Sequence, residues 1–298
     1  MRWASYCESH IGSRYELRKA GLREVNGLSE WNAMTYEGKD TILRVVRHEA
    51  DQMFTLAGEP GAWDAPTACE NWRVKDIIGH IVDTTEGYFR SFEFARSGTD
   101  APTPHGLLVM HELAGDSARS FGSLSQQDML ARARADLDTM MSILEPLTAE
   151  EWGGFIVPHA YMGPVPAFVY AGGQLMDYGV HTWDIRQGSG QAHALSADAA
   201  DLLVPFMFII WQSTIRPDAD LSPFSIGIRV SGRNAGDTRV SIGDGGMTYE
   251  PGDISDLPAF LEFDPGSMVL TAFGRLNGGT AYGDQALANR FLNLFYRI

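Results

Sequence analysis

Three side chains in this sequence are typed and spaced to share a metal ion. His80 closes the run WRVKDIIGH over residues 72–80, and Asp177 and His181 stand four positions apart in DYGVHTWD, residues 177–184. At helical spacing Asp177 and His181 lie one turn apart on one face, and a second helix presenting His80 to that face completes a His, His, carboxylate set. Three protein ligands with a fourth position open is the pattern of catalytic rather than structural zinc, because the open position accepts water, substrate or a thiolate. Residue types alone leave another reading beside this one. His80 can be a histidine satisfied by a single hydrogen bond, and Asp177 with His181 a solvent-facing helical pair worth about 0.2–0.5 kcal/mol.

The choice turns on the elements that hold these residues. Ile42, Val45, Val46, Met53 and Leu56 make one helical stripe over residues 40–57, interrupted by Glu49, and Gly58 and Pro60 end it. Asn71 is placed to cap a second helix whose inner face takes Ile77, His80 or Ile81, Thr84 and Tyr88. Residues 97–124, rich in Gly, Ser, Thr and Pro, predict a long loop carrying His105 and His111. Ser125 and Asp128 open a third helix through Leu144, with Met129, Ala133, Leu137, Met140 and Met141 as its apolar spacing. A fourth follows Pro164 and Pro166 and runs through Gln187 to the stop at Gly188–Gly190. Four such helices predict a bundle, with the candidate ligands on the second and fourth.

Ser196 caps one more helix, and its apolar run Leu202–Trp211, which contains Pro205, is about half of the ~20 residues a bilayer needs. Near residue 216 the pattern changes. Alternating segments at 225–231, 238–242, 260–263 and 268–273 predict the strands of a small mixed sheet, and residues 284–295 a final helix. The expected organisation is therefore an N-terminal extension over 1–38, with Met34 as a candidate start, a helical bundle over 39–215, and an α+β unit over 216–298.

Composition narrows the function classes. Lys and Arg total 23 against 38 Asp and Glu, a net charge of −15 that repels nucleic-acid backbones and anionic membrane surfaces. The two cysteines, Cys7 and Cys69, form no disulfide framework and no Cys-x-x-Cys motif, and no secretory signal pattern opens the chain, so a cytoplasmic setting is expected.

The stretch WDAPTACENWRVKDIIGH over residues 63–80, with Val180-His181-Thr-Trp-Asp184-Ile-Arg186, resembles the N-terminal signature of the mycothiol-dependent maleylpyruvate isomerase family within the DinB-like superfamily. Phe273-Gly274-Arg275 and Gly283-Asp284 resemble the sterol-carrier-like C-terminal domain of the same family. The resemblance implies a DinB-like four-helix bundle followed by a small α/β sterol-carrier-like domain, with zinc held by His80, Asp177 and His181. The family's best-known member carries glutamate where this chain has Asp177, one methylene shorter. Asp83 and Asp184, one turn from the histidines, are candidate acceptors for their free ring nitrogens or else solvated or capping helix carboxylates. Arg275 is a candidate to bind a carboxylate of the substrate or thiol cofactor, with an inter-domain salt bridge as the equally ordinary alternative. Trp63, Trp72 and Trp183 are candidate pocket walls, and Cys69 reads as a buried small hydrophobe.

The chemistry implied is that of a metal-held thiolate, the competent nucleophile, acting through mycothiol on a small electrophile in isomerisation or S-conjugation. Two other expectations stand beside this enzyme. One is a carrier of hydrophobic ligands through the C-terminal domain, and the other a metal-binding stress or regulatory protein without turnover.

Overall fold

The two stretches that carry the candidate ligands are both helical and face each other. A computed structural model describes residues 29–298 apart from Ala192, Asp244 and the side chains of Ser29 and His111. The expectations for residues 1–28, Cys7 among them, and for the His111 side chain lie outside the described residues.

The bundle helices are α1 (Lys39–Gly58), α2 (Val74–Ser97), α4 (Gln126–Leu144) and α6 (Phe168–Gly188). Between them lie α3 (Met110–Ser120), the short α5 (Ala149–Gly154) and a two-stranded hairpin of β1 (Ile156–His159) and β2 (Gly163–Pro166). α6 packs on α1 and α2, and α2 on α4 and α3. The stripe read from residues 40–57 is the buried face of α1, with Ile42, Val46 and Met53 fully enclosed and Glu49 buried among them. Ser125 caps α4 as expected, accepting the Asp128 N–H at 3.1 Å. Lys39 begins α1 and ends another helix: its ammonium donates to the carbonyls of Glu145 and Leu147 at 2.7 and 2.9 Å, just beyond α4, where a cation also complements the dipole.

Several expectations are corrected. Asn71 does not cap α2; it takes a positive φ of 66°, which asparagine tolerates in a turn, and the cap is Arg73, whose N–H donates to Asp76 at 2.8 Å. The long loop predicted over 97–124 contains α3, which closes one side of α2. Gly79 permits that approach, since a Cβ there would stand 2.7 Å from the Ala118 carbonyl oxygen.

After α6, helix α7 (Ala197–Ser213) carries the apolar run with Pro205 inside it, and it is buried against α1, α6 and the second unit. The five-stranded sheet has the order β5-β4-β3-β6-β7, with β3 (Phe224–Val230), β4 (Gly236–Gly243), β5 (Gly246–Pro251), β6 (Ala259–Phe263) and β7 (Thr280–Gly283). All neighbours are antiparallel except β3 and β6. Residues 268–273, expected as a strand, form helix α8 (Pro265–Ala272) and its C-cap Phe273, connecting β6 to β7, and α9 (Gln285–Leu292) completes the unit.

One apolar cluster runs through helices and sheet. Trp211 of α7 joins them, its ring 5.3 Å from Phe291, 5.7 Å from Phe295 and 6.2 Å from Phe263. Ala33 is part of this packing; it is fully buried and its carbonyl accepts the Trp152 indole N–H at 3.1 Å. Among the described residues no helix is long and apolar enough to cross a membrane. The α6–α7 contact depends on a missing side chain at Gly172, where a Cβ would collide with the Phe206 ring. Gly172→Ala is expected to destabilise the protein by about 1–3 kcal/mol, read as a fall in the urea midpoint without a change in slope.

Candidate metal centre

Antiparallel packing of α2 on α6 brings the three candidate ligands together. One ligand atom from each of His80, Asp177 and His181 lies within 4.8 Å of the others. His80 Nε2 is 3.5 Å from Asp177 Oδ1, and the His80 and His181 rings meet edge to face with centroids 5.2 Å apart. Their side chains are only 13, 17 and 12% exposed. The solvated-pair reading of Asp177 and His181 does not describe this enclosure.

Each imidazole is held by its other nitrogen. His181 Nδ1–H donates to Asp184 Oδ2 at 2.8 Å, leaving Nε2 free to ligate. His80 Nδ1 meets Thr84 Oγ1 at 3.4 Å. The neighbour of His80 is thus Thr84, and Asp83, one residue back, makes no hydrogen bond to it. Burial lowers the His181 pKa, with Asp184 pulling the other way and His80 adding to the lowering, which favours the neutral ring that metal ligation requires.

The donor set fits a cation. Asp177 Oδ2 is buried and has no hydrogen-bond partner among the described residues, a costly state for a carboxylate oxygen that a bound metal would relieve. A second group, Cys69, His181 and Asp184, is equally close in space, but its carboxylate is already neutralised.

That neutralisation comes from Arg275. Its Nε donates to Asp184 Oδ1 at 2.9 Å and one terminal nitrogen to Oδ2 at 3.0 Å, a bidentate fork on a side chain with no exposure. The other terminal nitrogen donates to the carbonyls of Phe273 and Ile298. Arg275 therefore reaches the centre from the second unit, as expected, but its donors are engaged within the protein. Burial alone would raise the Asp184 pKa; the hydrogen bonds from His181 and Arg275 hold it well below the usual carboxylate range.

Cys69 completes this junction by donating its thiol to Asp184 Oδ2 at 3.1 Å. Burial, then the Asp184 charge, push its pKa up to about 12 against the opposing pull of Arg275. A thiol held that high carries about a thousandfold less thiolate than a free one. The Cys69 peptide is expected to stay unmodified by iodoacetamide at pH 8 in the folded protein and to react on unfolding, as read by mass spectrometry; rapid labelling of the native chain would contradict the geometry.

Of the candidate walls, Trp72 covers both ligand rings, at 5.3 Å from His80 and 5.9 Å from His181. Trp183 turns away, 5.2 Å from His193, and lines a separate cleft of about 500 Å³ with Leu195, Leu270 and Leu276. Trp63 packs against the core. His105 is exposed, its ring 5.8 Å from Tyr161.

Residues 46–186, the segment that contains all three candidate ligands, match the mycothiol maleylpyruvate isomerase N-terminal domain. This part of the chain is a mycothiol maleylpyruvate isomerase N-terminal domain. The fold of the chain recurs in the crystal structure of the mycothiol-dependent maleylpyruvate isomerase, which covers 83% of this chain and 94% of its own at 13% identity and a TM-score of 0.56. A histidine-to-alanine variant of that enzyme superposes with a TM-score of 0.58 at 14% identity, over 83% of this chain and 93% of its own. Among curated proteins, the uncharacterized proteins MT0763 and Rv0738 of Mycobacterium tuberculosis are each 24% identical over 136 residues, 45% of this chain. The match spans 59% of the length of those relatives.

Proposed function

We propose that this chain is a metal-dependent enzyme that uses a low-molecular-weight thiol, mycothiol, to isomerise or S-conjugate a small electrophile. The observation that carries this reading is the convergence, inside the family's domain, of two neutral-capable imidazole nitrogens and an unpartnered buried carboxylate oxygen. In this reading residues 39–215 form the metal-binding unit, and residues 216–298 supply Arg275 to its rim.

His80, Asp177 and His181 hold a divalent ion, with zinc the first choice for two imidazoles and a carboxylate. Such an ion lowers the pKa of a thiol placed at its open position, so that the thiol is present as thiolate at neutral pH. The rest falls to the chain's own groups. Asp184 fixes the His181 tautomer, Trp72 covers the ligand rings, and Cys69 stays protonated and takes no part as nucleophile. Sulfur addition to an activated double bond leaves a rotatable single bond, and elimination returns the other geometric isomer; without elimination the product is the conjugate. The acidity of the chain suits neither nucleic acid nor an anionic membrane as partner.

The test is elemental analysis of the purified protein with calorimetric titration of mycothiol before and after metal removal, followed by assay on maleylpyruvate and simple conjugation substrates. Stoichiometric metal, metal-dependent thiol binding and thiol-dependent turnover are expected. A metal-free protein after metal-supplemented expression would sink the proposal, and so would thiol binding indifferent to metal. The apolar cleft beside Trp183 favours one second reading, a carrier of hydrophobic ligands. It predicts co-purifying lipid by native mass spectrometry and no response to thiol.

A further inference from the structure

The floor of the centre is built from two antiparallel stripes. On α2, His80, Thr84 and Tyr88 follow at one-turn spacing; on α6, Gly173, Asp177 and His181 do the same in the opposite direction. His80 faces Asp177, and Tyr88 faces Gly173, where a Cβ would stand 2.5 Å from the Tyr88 hydroxyl. Tyr88 thus continues the ligand stripe one turn beyond Asp177. The β1–β2 hairpin forms the wall at that level, with the His159 ring 5.8 Å from Tyr88 and 5.7 Å from Tyr170.

The hairpin fixes how His159 carries its proton. Its Nδ1 accepts the backbone N–H groups of Tyr161 and Met162, each at 3.2 Å. A ring nitrogen that accepts two N–H groups carries no hydrogen, so the neutral imidazole is protonated at Nε2. That Nε2 has no hydrogen-bond partner shown among the described residues, although the ring is largely buried. Burial holds the His159 pKa down at about 4, against the opposing pull of the Asp177 carboxylate. A cation at Asp177 would reinforce the neutral state.

We propose that His159 is a fixed, neutral hydrogen-bond donor to the carbonyl oxygen of an α,β-unsaturated carbonyl substrate, a role that rests on the thiol-addition reading given above. In that step the thiolate sulfur bonds to the β-carbon, the π pair of the double bond moves toward the carbonyl, and the oxygen takes the charge. The Nε2–H bonds that oxygen and keeps its proton. On return the pair re-forms the double bond and expels the thiolate, so nothing is oxidised or reduced and no proton is consumed. A donor aimed at a developing oxyanion contributes about 10²–10³ in rate. A ring whose Nδ1 is filled and whose basicity is low supplies no general base.

Two substitutions separate the donor from the turn. His159→Asn keeps an acceptor near the Nδ1 position for Tyr161 and Met162 but has no donor at Nε2; His159→Gln does the reverse. The Asn variant is expected to keep its metal and melting temperature and lose about 100-fold in kcat, while the Gln variant melts lower and retains most of the rate. Maleate, a planar unsaturated dicarboxylate, reads the same donor without turnover when titrated into the metal-loaded protein. It should bind the Asn variant about 10-fold more weakly than wild type. Maleate binding with this pattern but no thiol-dependent turnover would remove the function proposed above and leave the donor standing. Equal maleate affinity in wild type and the Asn variant, or none in either, would overturn the donor and leave the function to its own test.

Discussion

His181→Ala is expected to strip the protein of metal while leaving it folded. The substitution removes one of three ligands, so the loss should exceed the 10–100-fold in affinity that follows from deleting a hydrogen-bond partner behind a ligand. The fold survives because Asp184, which His181 orients, keeps its fork with Arg275. Elemental analysis after gel filtration, beside a melting curve, gives the answer. Stoichiometric metal retained in the variant would mean that the two imidazoles and Asp177 do not form the site.

The second large effect concerns stability. Among the described residues, Arg275→Met leaves the fully buried Asp184 carboxylate with His181 and Cys69 as partners, and breaking one side of a buried pair costs about 3–5 kcal/mol. For a chain of this size that corresponds to a fall of about 6–20 °C in melting temperature. The double change Arg275→Met with Asp184→Leu should recover much of the loss, because it removes the unpaired charge along with its partner. The pH dependence has a definite sign. Asp184 titrates lower in the folded chain than in the unfolded one, so the pair stabilises fully above the unfolded value of about 4 and its contribution fades as pH falls toward the folded value. The variant should therefore be less sensitive to acid than wild type. An Arg275→Met protein as stable as wild type at neutral pH would contradict the burial on which this rests.

The features legible in the sequence were those with a local cause. The stripe from Ile42 to Leu56, the caps at Ser125 and Ser196, and the one-turn spacing of Asp177, His181 and Asp184 are each written within a few residues. Helix α3 escaped because its apolar positions are few and it sits in a stretch rich in Gly and Ser; it is helical because it packs on α2 at Gly79. Residues 268–273 look like a strand when their hydrophobicity is read alone. The signal for α8 lay just upstream, where Asp264 caps through Ser267 and Pro265 occupies the first turn. The β1–β2 hairpin hid behind Pro158, Pro164 and Pro166, which it tolerates as a two-stranded ribbon with open edges.

At the centre the limit was of the same kind. Asp184 could be assigned to His181 from a spacing of three, but its fork with Arg275 joins residues 91 apart, and no local pattern reports that pairing. The hold on His159 Nδ1 depends on the path of the hairpin backbone and is likewise invisible in residue type.

Asp184 Oδ2 receives both His181 from the bundle and Arg275 from the sheet-bearing unit, so one oxygen belongs to two assemblies at once. On the proposed metal reading, ion binding and the seating of the sheet-bearing unit would be linked equilibria: whatever factor the seated form gained in affinity, the ion would return as preference for the seated form. The metal-bound chain should unfold as one cooperative unit whose melting temperature climbs with free metal concentration, and a ligand in the cleft beside Trp183 would be felt by the ion without touching it.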